Sequence, residues 1–316
     1  MNILAVESSC DETAVAIVRD GREVLTDCIA SQVDLHRIYG GVVPEIASRK
    51  HIEAIYGLAD QALTRTGLLR SDIDAVAVTY APGLIGAVLV GVNFAKAAAL
   101  ALGKPLIPVH HIRGHIAANY IAYPELEPPF LCLVVSGGHT MIVEVKDYTD
   151  MNILGTTLDD AAGESFDKVA RVLGRPYPGG AALDRAARQG DETKYVLPRS
   201  KPGENPYNMS FSGLKTAALN LIHHAEQVGE ELDIPSLCAA FSNKFRRSGK
   251  LRKLRLLTAM GSAAEKHAVF LFALMHIFRP LRLRKHHKLR RKACIFNSFP
   301  NIMQPFFHHF FSSLHH

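Results

Sequence analysis

The sequence predicts a duplicated α/β architecture, because one strand, polar-turn, strand unit occurs twice and each occurrence is followed by helical patterning. The first unit is residues 3–18, where Ile-Leu-Ala-Val-Glu and Thr-Ala-Val-Ala-Ile-Val flank Ser8-Ser9-Cys10-Asp11-Glu12. The second is Phe130 to Val145, where Phe-Leu-Cys-Leu-Val-Val-Ser leads into Gly137-Gly138-His139-Thr140 and then Met-Ile-Val-Glu-Val. Runs rich in β-branched residues around polar turn residues read as paired strands. At 316 residues and 48% hydrophobic content, the chain can bury one large core or two.

Between the two units, a Gly- and Pro-containing loop spans Tyr39 to Pro44, a helix is predicted from about His51 to Thr66, and a strand covers Ala75 to Thr79. Ala81-Pro82-Gly83 is a turn before a helix of small residues running to about Leu102. A further buried strand, Leu106 to Val109, ends on His110-His111-Ile112-Arg113-Gly114-His115, with helix continuing through Asn119-Tyr120. Strand ends of this kind are where open α/β sheets bind ligands. In the second half, Asp159 to Asp167 enters a helix and Pro176-Tyr177-Pro178-Gly179-Gly180 turns into another. Met209 to Thr216 then precedes a helix through about Glu226.

Cys10, Cys28, Cys132, Cys238 and Cys294 stand singly, with no C-x-x-C pair, which argues against a disulfide framework or a zinc ribbon and for a reducing, cytoplasmic setting. The N-terminus reaches Glu7 at once and lacks the blocks of a signal peptide. No uninterrupted apolar run has the length of a membrane helix, so a soluble protein is expected. Charge is divided sharply. Residues 242–316 hold 16 of the 36 Lys and Arg but only Glu265 among the 30 acids, so the body carries a net −9 and the tail +15.

Several clusters can carry chemistry, each beside a plainer reading. His111 and His115 are four apart, so on a helix both imidazoles share a face and can reach one metal ion; such a pair is also a common packing feature. Gly114 between them costs helix stability of about 1 kcal/mol against Ala, which points to a special backbone need. Val134-Val135-Ser136-Gly137-Gly138 ends a strand in adjacent glycines whose N–H groups can approach a phosphate or carboxylate, or simply turn the chain. Ser8 to Thr13 offers hydroxyls and carboxylates that suit phosphate, metal or water, or a solvated turn. Asp159, Asp160, Glu164 and Asp167 can hold a ribose or a cation, or favour a helix N-terminus. Gly179 and Gly180 can admit an adenine against the backbone. Cys10 invites a nucleophile reading, but the sequence shows neither a base nor a reason for a depressed pKa.

Taken in order, Glu7-Ser-Ser-Cys-Asp-Glu-Thr13, Gly40-Gly-Val-Val-Pro-Glu-Ile-Ala-Ser48, Pro82-Gly-Leu-Ile-Gly86, His110-His-Ile-Arg-Gly-His115, Val135-Ser-Gly-Gly-His-Thr140 and Phe211-Ser-Gly-Leu-Lys-Thr216 resemble the tRNA N6-adenosine threonylcarbamoyltransferase family, formerly the O-sialoglycoprotein endopeptidase or glycoprotease family. The resemblance covers residues 1–241. It implies an actin-like, Hsp70-like two-lobed ATPase fold built from RNase H-like lobes, divided here as 1–113, a partial second lobe 114–241, and a basic His- and Phe-rich tail 242–316 outside the native fold. It implies an acyltransferase that moves a threonylcarbamoyl group from threonylcarbamoyl-adenylate to N6 of adenosine 37 in tRNAs reading ANN codons. By the same resemblance His111 and His115 are ligands of one divalent metal, Fe(2+) ahead of Zn(2+). Val134, Val135, Ser136, Gly137, Gly138, Asp167, Gly180 and Asp184 fall on nucleotide and substrate positions. Asp11 or Glu12 can position or deprotonate the accepting amine. The implied partners are tRNA, a paralogous actin-like protein and a small ATPase, with no membrane.

Two departures bear on activity. A Gly-Gly-Val-Ala-Ala-Asn-Ser-like nucleotide loop and a late Cys-Thr-Asp-Asn-like segment carrying an Asp ligand are not found in the sequence. The composition change after residue 241 reads as an out-of-frame tail, and little or no activity is expected. The tail's basic run Arg282 to Lys292 can alternatively bind RNA through its phosphates, which would suit a nucleotide- and RNA-binding scaffold without catalysis. A metalloendopeptidase is the third reading, but Ile112 rather than Glu follows the first histidine of the pair.

Overall fold

The computed structural model describes residues 1–175, 179–199, 203–246 and 292–297. It divides into two compact units, the first covering residues 1–128 and the second, among the described residues, 129–246 with 292–297. The boundary expected at 113/114 falls inside a helix, His111–Ala117, and the break lies at Pro128–Pro129 instead. Helix patterning from His110 through Tyr120 carries the chain past 113 before any linker can occur.

The first unit is a five-stranded sheet of β1 (Asn2–Glu7), β2 (Glu12–Arg19), β3 (Glu23–Ser31), β4 (Ala75–Ala81) and β5 (Leu106–His110) in the order β3-β2-β1-β4-β5. β1, β2 and β3 pair antiparallel, whereas β4 and β5 join β1 in parallel. Alternation sends Leu4, Val6, Val15, Ile17, Val76 and Val78 to one face, where α2 (Pro44–Thr66) and α3 (Ile85–Leu102) supply Ile55, Ala59, Ala62, Ala95 and Ala99. Ile3, Ala5, Ala75, Ala77 and Val109 make a second cluster on the other face. Apolar on both faces, these strands read as continuous runs. The segments α1 (Val33–Arg37), α4 (His111–Ala117) and α5 (Asn119–Ala122) complete the unit.

α2 starts seven residues earlier than expected, because Pro44 lies in the first turn, where a missing N–H costs nothing, and it stops at Gly67 with φ +68°. By composition and length α3 is the one helix among the described residues long and apolar enough to cross a membrane; here it packs on β4 and α2.

The second unit repeats the plan. β6 (Phe130–Val135), β7 (Thr140–Val145), β8 (Met151–Thr156) and β9 (Lys292–Asn297) run β8-β7-β6-β9, with β9 parallel to β6 as β4 is to β1. This repeated mixed sheet is the actin-like α/β fold expected from the sequence. Leu131, Leu133 and Val135 of β6 meet α6 (Ala162–Val172), α8 (Ser212–Val228) and α9 (Ile234–Arg246), with α7 (Gly180–Ala187) beside them.

Two pieces of the segment expected to lie outside the fold are in it. Residues 242–246 finish α9, because its apolar face continues to Phe245, which is 5% exposed and stacks on Phe211 at 4.6 Å. Residues 292–297 form β9 through backbone pairing with β6. The rest of the tail, including most of the run Arg282 to Lys292, lies outside the described residues.

Candidate functional site

In the first unit, β1 delivers a carboxylate and α4 delivers two imidazoles. Glu7 closes an apolar strand and is 3% exposed. Its Oε1 accepts the Ser9 N–H and its Oε2 accepts the Thr79 hydroxyl from β4. His111 Nδ1 lies 3.0 Å from Ser9 Oγ and 3.5 Å from Glu7 Oε2. Burial pushes the Glu7 carboxyl up, but the His111, Ser9 and Thr79 contacts outweigh it and hold the pKa below the usual carboxylate range. The N-terminal turn of α4 places His111 and His115 on one face with their Nε2 atoms 2.8 Å apart and their rings edge to face. The spacing seen in the sequence therefore produces the convergence it suggested. Two imidazole nitrogens aimed at a common point suit a divalent ion as half of a coordination sphere. Among the described residues, no group of three His, Cys, Asp or Glu side chains forms such a site.

The loop before β2 is held by α2 and α3. His51 of α2 is fully buried, with Nε2 3.0 Å from the Cys10 carbonyl and Nδ1 2.7 Å from the Thr13 hydroxyl; burial lowers its pKa, so the neutral ring donates to the carbonyl and accepts from Thr13. Ser8 Oγ donates to the Ala87 carbonyl and accepts the Gly91 N–H, and a Cβ on Gly91 would stand 2.4 Å from that oxygen. Asp11 and Glu12, the expected amine-positioning residues, sit on this braced loop, both partly exposed. Burial, then the Asp11 charge, raise the Glu12 pKa, in the direction a proton acceptor needs. Loss of water around its sulfur and the neighbouring Asp11 carboxylate push the Cys10 thiol up to about 12, although the residue reaches the surface. A thiol held that high is protonated near neutral pH, which speaks against the nucleophile reading.

In the second unit, Ser136 to His139 make a tight hairpin turn: the His139 N–H donates to Ser136 Oγ at 2.9 Å, and the Ser136 N–H to the His139 carbonyl at 2.8 Å. Val134 and Val135 are buried strand residues, so only their backbone can meet a ligand. α6 docks directly on the turn. The Gly163 N–H reaches the Ser136 carbonyl at 3.1 Å, Thr140 Oγ1 accepts the Ala162 N–H, and a Cβ on Gly163 would come within 2.9 Å of Gly137 Cα. A Cβ on Gly138, in contrast, would meet nothing within 4 Å, leaving its backbone open to approach.

Asp167 of α6 accepts the N–H groups of Gly179 and Gly180 at 2.8 and 3.2 Å, so it caps the start of α7, the helix that carries Gly180 and Asp184. Burial raises its pKa, and those two hydrogen bonds only partly offset the rise. Asp184 Oδ2 pairs with Arg188 at 3.2 Å. Asp159 and Asp160 bind protein rather than waiting for a ribose or cation. Asp159 accepts from Ser210 Oγ and from the N–H groups of Phe211 and Ser212, capping α8. Asp160 binds Lys215, Ser212 Oγ and Lys168. Sequence reasoning missed the Glu7, Thr79 and His51 contacts; a carboxylate ending the run Ile3-Leu4-Ala5-Val6 was the available signal for Glu7.

The family profile described as tRNA N6-adenosine threonylcarbamoyltransferase matches residues 23–269, continuing past residue 241. A protein of that name from Moorella thermoacetica is 59% identical over 240 residues, covering 76% of this chain and 70% of its own. One from Clostridium perfringens is 49% identical over 275 residues, covering 84% and 81%. Among solved structures, Thermococcus kodakarensis HypF is similar in fold, with a TM-score of 0.51 at 13% identity, covering 99% of this chain and 48% of that one. With the match spanning most of the chain, the protein belongs to the tRNA N6-adenosine threonylcarbamoyltransferase family.

Proposed function

We propose that this chain is built to transfer a threonylcarbamoyl group from threonylcarbamoyl-adenylate to N6 of adenosine 37 in tRNAs reading ANN codons. The observation that carries the reading is the convergence of His111 and His115 Nε2 at 2.8 Å on a family scaffold. His111 and His115 would hold one divalent ion, Fe(2+) rather than Zn(2+). When bound, it supplies Lewis-acid polarisation of the carbamoyl carbonyl, easing acyl transfer to a weak aromatic amine.

The protein's own residues divide the remaining work. The Gly137-Gly138 backbone, held at the end of the strand by the paired Val134, Val135 and Ser136, offers N–H groups to the adenylate, and the open face of Gly138 lets it approach. Asp167 and Asp184 are the acidic positions, and Gly180 the glycine position, for its ribose and base. Asp11 and Glu12 position the accepting amine, and the raised Glu12 pKa suits proton uptake. A paralogous actin-like protein and a small ATPase complete the system in the cytoplasm. An acidic body calls for basic surface from partners to meet tRNA.

As it stands the chain is expected to have little or no activity, because the Gly-Gly-Val-Ala-Ala-Asn-Ser-like nucleotide loop and the late Asp ligand are not found in its sequence. Incubation with threonine-labelled adenylate, tRNA and the partner proteins should give label in tRNA at a small fraction of the rate of the Moorella relative, and His111→Ala should abolish it. Incorporation indifferent to His111→Ala would reject the reading.

A further inference from the structure

Glu7 has no part in the transfer chemistry described above, yet it is 3% exposed and placed within reach of a proposed metal ligand. We propose that Glu7 is a positioning residue that fixes the orientation and tautomer of His111. The inference rests on the reading of His111 and His115 as metal ligands.

The contacts around Glu7 are all donors. Ser9 N–H meets Oε1, and the Thr79 hydroxyl meets Oε2, so the loop after β1 and strand β4 lock the carboxylate plane. Oε2 then faces His111 Nδ1 at 3.5 Å, while Ser9 Oγ approaches the same nitrogen at 3.0 Å. A serine hydroxyl can donate or accept, so Ser9 alone leaves the ring free to be either tautomer. A carboxylate only accepts, so Glu7 adds to the Ser9 contact a partner for a proton on Nδ1, the arrangement that leaves the Nε2 lone pair for a ligand. His111 Nε2 lies 2.8 Å from His115 Nε2, so without an ion His115 donates to that lone pair and binding of an ion would displace its proton. Carboxylate support of a ligating imidazole is worth roughly 10- to 100-fold in metal affinity. The other reading is that Glu7 only staples the end of β1 to β4.

Co(2+) titration of the full chain, followed by visible absorption and by thermal unfolding of the apo protein, separates these. Wild type should bind one Co(2+); Glu7→Gln, whose amide can donate to Nδ1, should lose about 10- to 100-fold in affinity and change the absorption spectrum. Its unfolding midpoint should stay near wild type. A folded Glu7→Gln with wild-type affinity and spectrum overturns the proposal. Should Glu7→Gln not fold, Thr79→Val releases the Oε2 that faces His111 while the Ser9 N–H still holds Oε1, and unchanged affinity and spectrum there overturn it equally. Wild type that takes up no Co(2+), or His111→Ala that binds as well as wild type, rejects the metal reading itself.

Discussion

Asp160→Ala offers the sharpest test of how the second unit is held together. Asp160 ties together two helices through three side chains: Lys168 of α6 at 3.3 Å, and Ser212 Oγ at 2.7 Å and Lys215 in the first turn of α8. Its side chain is 13% exposed and that of Lys215 16%, so removing the carboxylate leaves a largely buried ammonium uncompensated. Breaking a buried pair in this way costs about 3 to 5 kcal/mol, and residual exposure together with the remaining solvent contact of Lys168 points to the lower end, about 3 kcal/mol. For a unit of this size the expected fall in the unfolding midpoint is about 10 °C. Asp160→Ala combined with Lys215→Met should recover at least half of that loss, since the penalty comes from the stranded charge rather than from the missing bond. The pH dependence has a definite sign. Burial pushes the Asp160 carboxyl up, but Lys215, Ser212 and Lys168 outweigh it and hold the folded pKa below the ordinary value. Its contribution is therefore complete above the unfolded pKa of about 4 and is lost as pH falls through the folded value. Urea unfolding followed by circular dichroism at pH 7 and at pH 3 measures both effects. A loss below about 0.5 kcal/mol at pH 7, or one that is unchanged at pH 3, would refute the reasoning.

Further expectations follow from single contacts. Gly163→Ala puts a methyl within 2.9 Å of Gly137 and the Ser136 carbonyl, so it should cost about 1 to 3 kcal/mol and weaken binding of an adenylate analogue measured by calorimetry. Phe245→Ala removes a ring stacked on Phe211 and edge-on to Phe166 at 5.0 Å, and should cost about 3 kcal/mol or more in thermal unfolding; a neutral result would show that residues past 241 do not belong to the core. Cys10→Ser should leave transfer unchanged, and the Cys10 thiol should react with iodoacetamide more slowly than a free cysteine between pH 7 and 9, since its pKa of about 12 leaves little thiolate there.

The fold was legible where pattern and function of the backbone coincide. β1, β2, β6 and β7 are buried apolar runs around polar turns, and each was found with its partner. β3 and β8 went unrecognised because both are edge strands with mixed exposure, so neither shows a clean apolar run. Helix α2 was read short because Pro44, taken for loop, is its first-turn residue. The histidine pair was legible because a spacing of four acts within one helix. Glu7 was not, because its partner His111 lies 104 residues away, and only the parallel pairing of β1 with β4 and of β4 with β5 brings them together. Asp160 and Lys215, 55 residues apart, are the same case in the second unit. Val134 and Val135 were legible as strand residues, and their side chains are spent on burial.

The central claim is that residues 1–241 carry the transfer chemistry and that the segment after them limits it. It is tested most directly by replacing residues 242–316 with the corresponding segment of the Moorella relative and measuring threonylcarbamoyl transfer to an ANN-reading tRNA, beside the same tRNA carrying guanosine at position 37. The account expects transfer to rise well above that of the chain as it stands, to require adenosine 37, and to disappear in His111→Ala. A folded hybrid that transfers nothing, or that modifies both tRNAs alike, would contradict it.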